Sequence, residues 1–114
     1  MRILIFILMT VALFSCGSNK PTEEQKEKAE KYIGYLTEYN IDNIHGGELT
    51  DANILVLAVD AYPEANFDVF AKTYLENAIS KGLDIEGVAI VDVKNCQIGD
   101  GWVTGDRIGR AFKE

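Results

Sequence analysis

Two short apolar runs bracket one helical pattern, and that order constrains the fold more than any other feature of the chain. Ile54 to Val59 is six consecutive apolar residues, and Val88 to Val93 is apolar except for Asp92. Runs of this length, rich in β-branched residues and leucine, are what a strand buried on both faces shows. Thr50 and Asp51 would also serve to cap a buried helix, so helix is the alternative for residues 51–61. Pro63 ends the first run and Asn66 stands at a capping position. From there Phe67, Phe70, Ala71, Tyr74, Leu75, Ala78 and Ile79 keep a helical period as far as Gly82. Strand, helix, strand in this order predicts a right-handed crossover between parallel neighbours, with helix packed on sheet.

Before this unit, Thr22 and Gln25 fit a capping box, and Glu23 and Glu24 place negative charge at the positive end of a helix dipole. Ala29, Tyr32, Ile33, Leu36 and Tyr39 then recur at three- and four-residue spacing, so an amphipathic helix is expected to end near Tyr39. Asn40 to Thr50 holds the pair Gly46-Gly47, shows no sustained period, and reads as a loop containing His45. After Val93 the chain turns glycine-rich, with Asp100-Gly101 between two extended candidates, the favoured chemistry of a two-residue hairpin turn. The expectation is a small single α+β domain over residues 22–114. It comprises an N-terminal amphipathic helix, a β-α-β unit and a C-terminal glycine-rich strand or hairpin.

The chain begins differently. Arg2 precedes twelve largely apolar residues, Ile3 to Phe14, too few to span a bilayer, which takes roughly 20. The run stops at Leu13-Phe14-Ser15-Cys16, which resembles the lipobox of bacterial lipoprotein precursors: an aliphatic residue at −3, a small one at −1, cysteine at +1. Phe14 at −2 is bulkier than the usual residue there. The resemblance covers residues 1–16. It implies a signal peptide over residues 1–15, cleavage between Ser15 and Cys16, and a diacylglyceryl thioether on Cys16. With two or three acyl chains such as palmitate, at about 0.8 kcal/mol per buried methylene, the anchor would be effectively permanent. Residues 16–21 then form a short tether of at most about 3.4 Å per residue. Gly17 after the cysteine resembles lipoproteins sent on to an outer rather than an inner membrane, with the leaflet open.

The chain has 11 basic and 18 acidic residues, and losing Arg2 with the leader leaves 10 against 18, a formal charge of −8. Such a surface repels phosphate backbones, which argues against nucleic-acid binding. Cys96 is the one thiol left after lipidation, so no intramolecular disulfide forms; it is buried, paired between molecules, or reactive. A catalytic thiol needs a base or positive field beside it, and the sole histidine, His45, lies far off in the expected loop. No His or Cys cluster has metal spacing, so neither a metal nor another cofactor is expected. Asp92, Asp100 and Asp106 match no calcium loop, and Gly99, Gly101, Gly105 and Gly109 match no phosphate loop; a solvated acidic face and turns explain them better.

Two groups of residues stand out as a binding face. Tyr32, Tyr35 and Tyr39 share a flank of the first helix, with packing at the rim of the core as the plainer reading. Trp102, Arg107, Arg110 and Phe112 mix aromatic and cationic groups near the C-terminus. Together these features favour a lipid-anchored, non-catalytic binding module of the cell envelope, held to the membrane through Cys16 and docking an envelope protein. The alternative is a small envelope enzyme using Cys96 or the aspartates of the glycine-rich segment; a structural spacer ranks below both.

Overall fold

The computed structural model describes residues 20–99 and 102–114, with the backbone alone at 98, 99 and 102–104. The leader, the Ser15–Cys16 cleavage point, the lipidated Cys16, residues 17–19 of the tether and the Asp100-Gly101 turn lie outside the described residues.

Helix α1, Glu23–Glu38, starts as its sequence requires. The Thr22 hydroxyl accepts from the Gln25 backbone N–H at 3.2 Å, and the Gln25 side chain accepts from the Thr22 N–H at 3.2 Å. Caps of this kind contribute about 1 kcal/mol. The helix buries Ala29, Tyr32 and Leu36. Helix α2, Phe67–Ser80, is capped by the Asn66 side chain, which accepts from Asp68 and Val69, and buries Phe67, Ala71, Tyr74, Leu75 and Ala78. Gly82, at φ +96°, lets the chain leave it in the left-handed region that a side chain would resist.

Four strands form one sheet in sequence order: β1, Ile44–Leu49; β2, Ile54–Val59; β3, Gly87–Gly99; and β4, Trp102–Phe112. The central pair, β2 and β3, is parallel from Ile54 opposite Gly87 to Val59 opposite Asp92, with α2 between them in the chain. The outer pairs are antiparallel. The sequence Ile54 to Val59 is therefore strand. The Thr50 hydroxyl that would have capped a helix instead accepts from the Ile54 N–H at 3.2 Å and closes the β1–β2 turn.

Alternate residues of the central strands face opposite ways. Leu55, Leu57, Val59, Val88 and Ile90 join Ala29, Leu36, Ala71 and Leu75 in one core between sheet and helices. Val56, Ala58, Ala89 and Val91 form a second buried cluster on the other face, against which Ile54, Val93 and Cys96 pack.

The segment Asn40 to Thr50 corrects the loop expectation. A short 3-10 turn, Ile41–Asn43, leads directly into β1, which carries His45. Its pattern fails because Gly46 and Gly47 supply no apolar alternation and because the register slips between Ile44 and Gly46. Gly47 is required there: a Cβ would lie 2.4 Å from the Val56 carbonyl oxygen. Strand β3 also runs beyond Val93. Val91 pairs with Arg107 and the next pair is Cys96 with Gly105, so β3 advances five residues while β4 advances two. This bulge bends the hairpin and brings Val93 and Cys96 onto the second face.

One end of the sheet gathers distant segments. The Asp84 carbonyl accepts from the side chains of Gln25 at 3.4 Å and Asn53 at 2.8 Å. The Glu86 N–H donates to Asn53, and the Lys113 N–H to Glu86. Pro21, just ahead of the α1 cap, is buried.

Candidate functional site

The residues that would do chemistry are held apart from it. The Cys96 thiol, half-buried, donates to the Val93 carbonyl at 3.7 Å. His45 is engaged with Asp60 at 3.0 Å on the exposed side of β1. Asp92 accepts from the Lys94 N–H at 3.0 Å, an Asx turn inside the bulge, and Asp106 is exposed. Among the described residues no three His, Cys, Asp or Glu side chains converge as a metal would need, and no helix is long and apolar enough to cross a membrane.

The tyrosines divide. Tyr32 is core, donating its hydroxyl to the Asn77 side chain, and burial, with Tyr35 as a lesser cause, pushes its pKa up to about 12. Tyr74, likewise buried, donates to Asp42; burial first and that bond second push its pKa upward. Tyr35 and Tyr39 instead stand at the surface, 46% and 65% exposed, with rings 5.1 Å apart at 53°. Arg107 and Arg110 are exposed. They pair with Val91 and Ala89, so both lie on the sheet face away from the helices. Phe112, also exposed, pairs with Gly87 at the end of the same strand. Trp102 begins β4 opposite Gly99, and its side chain lies outside the described residues. The tyrosines and the two arginines therefore belong to opposite layers of the molecule.

The sheet's two edges are treated differently. On β4, the Asp68 carboxylate accepts from the Arg110 N–H at 3.0 Å, and Gly109 lies so close to α2 that a Cβ would be 2.3 Å from the Phe67 carbonyl oxygen. That edge is blunted by the helix. Strand β1, among the described residues, pairs its backbone with β2 alone. Beside it a cleft of about 610 Å³ opens, lined by Lys26, Ala29, Glu30, Ile33 and Gly34 of α1 and Gly47, Glu48 and Leu49 of β1. Nothing stands within 4 Å of where a Cβ on Gly34 or Gly46 would be. An isolated glycine inside a strongly periodic helix is the sequence signal that points to this cleft. A second cleft lies between α1 and the end of α2, and its lining includes Lys28, Lys31 and Lys81. Helical spacing could not reveal that juxtaposition, because Lys81 reaches it from the other helix.

A family model described only as "Hypothetical protein" matches residues 24–113. The chain belongs to that family. A crystal structure from Parabacteroides distasonis, of a protein with alpha-lytic protease prodomain-like fold, is 38% identical, covers 75% of this chain and 99% of its own, and superposes with a TM-score of 0.67. No curated protein matches the chain. The family match begins at the second residue of α1 and ends one residue before the last, so it takes in both clefts and both sheet edges.

Proposed function

We propose that this protein is a lipid-anchored interaction module of the bacterial cell envelope that docks an extended segment of a partner protein along β1. The anchor rests on the resemblance of Leu13-Phe14-Ser15-Cys16 to a lipobox. The observation that carries the docking is the β1 edge, whose backbone among the described residues pairs with β2 alone, beside the 610 Å³ cleft, while the opposite edge is blunted at Gly109 and Arg110 by Phe67 and Asp68. A chain added to a sheet edge gains affinity from main-chain hydrogen bonds and specificity from neighbouring side-chain pockets. Here Ala29, Ile33 and Leu49 offer an apolar lining and Lys26 and Glu30 charged groups beside it. The neighbour's fold takes its name from a protease's prodomain and not from the protease, but fold alone carries no function.

The alternative, a small envelope enzyme built on Cys96 or on Asp92, Asp100 and Asp106, has less behind it. The thiol faces a carbonyl, and the histidine is engaged elsewhere. The test is capture of the natively lipidated protein from cross-linked cells, beside Cys16→Ala and Gly34→Leu variants. A stoichiometric protein partner lost in both supports the reading. No partner, a partner indifferent to Gly34→Leu, or only a second copy of this chain overturns it.

A further inference from the structure

The second cleft, about 350 Å³, is lined by Lys28, Lys31, Tyr32, Tyr35, Lys81 and Leu83. That lining holds three ammonium groups and no carboxylate, in a chain with 18 acidic and 11 basic residues. Among the described residues only Lys28 of the three has an ion-pair partner, exposed Glu24 at 3.8 Å. The Lys81 ammonium stands 5.5 Å from the centre of the Tyr35 ring, whose surface is nearly half exposed. Leu83 and Tyr32 are buried, and the Tyr32 hydroxyl is committed to Asn77, so these two contribute apolar surface. Binding sites for small molecules combine an apolar, aromatic lining with a few placed polar groups and begin at about 300 Å³. Cations at the rim add attraction for an anion and, over a ring, hold the aromatic face in place.

From this geometry we infer that the cleft binds a small organic anion whose carboxylate is carried on a six-membered ring. The ring lies against Tyr35 and Leu83, and the carboxylate meets Lys31 and Lys81. A bare inorganic anion would leave the apolar surface unused, and a neutral ring would leave the lysines unused. The site is independent of the β1 cleft, since Gly34 is not part of its lining.

The test is an NMR titration of the folded domain with glucuronate, benzoate, glucose and sulfate. Saturable shifts confined to residues 28–35 and 81–83 are expected with glucuronate, benzoate or both, and the stronger of the two tells whether a sugar acid or an aromatic acid is the natural chemistry. Glucose and sulfate should fail to saturate. Lys81→Gln should weaken binding about two- to fivefold, as loss of one exposed charge contact does, while Gly34→Leu leaves it unchanged. No saturable shift with either ring acid overturns the inference, as does equal binding of sulfate or binding unaffected by a Lys31→Gln, Lys81→Gln double variant.

Discussion

Replacing Gly34 by leucine is expected to stabilise the fold while closing the β1 cleft. Gly34 lies in the interior of α1, is exposed, and has open space where a Cβ would go. A glycine in a helix interior is about 0.8–1.0 kcal/mol worse than alanine, and leucine is close to alanine, so Gly34→Leu should add about 0.7 kcal/mol or slightly more. For a domain of this size, 1 kcal/mol corresponds to about 4–8 °C, so the melting temperature should rise by about 3–6 °C. The same side chain projects into the 610 Å³ cleft and should abolish partner capture. Differential scanning calorimetry reads the first effect and cross-linked capture the second. A fall in melting temperature would refute the claim that the space above Gly34 is open. A rise with undiminished capture would refute the claim that the partner lies there.

Gly109→Ala is expected to cost about 1–3 kcal/mol by urea denaturation, because its Cβ would meet the Phe67 carbonyl oxygen at 2.3 Å and the Phe67 Cβ at 2.5 Å, with backbone on both sides. An unchanged midpoint would mean that β4 does not press on α2 as described. Raising the pH should weaken the fold through Tyr32, since burial favours its neutral phenol. Folded Tyr32 ionises near 12 against an ordinary 10, so its contribution is full below pH 10 and is lost as pH rises towards 12. Thermal melts across that range should fall less steeply in Tyr32→Phe than in the wild type. Asp68→Ala should unmask the Arg110 N–H on the β4 edge; sedimentation at rising concentration should then show self-association that the wild type lacks.

Elements whose signals are local were legible in the sequence. The Thr22–Gln25 box and the Asn66 cap act within three residues, and the runs at 54–59 and 88–93 must be buried wherever they lie. Strand β1 was not legible, because its two glycines answer to the Val56 carbonyl across the sheet and to open space, not to any pattern of their own. Nor was the extent of β3, since Lys94 and Asn95 fall inside the five-residue advance that bends the hairpin. The tyrosine flank was visible as a flank. Which of the three phenols is buried was decided by Asn77, on another helix. Residues Lys28 and Lys31 look like an ordinary solvated face until Lys81 arrives beside them.

The hydrogen bonds that converge on Asp84 and Glu86 give the molecule a base. The start of α1 through Gln25, the β1–β2 turn through Asn53, the beginning of β3 and the C-terminal Lys113 all meet there. The first turn of α1 and the end of β4 are tied at this one pole, so a pull on the start of α1 acts on a point already cross-tied to the central and outer strands instead of unzipping an edge. From that base β3 runs outward for 13 residues and β4 returns in 11. The bulge between Val91 and Cys96 thus bends the hairpin away from that hold and not at it.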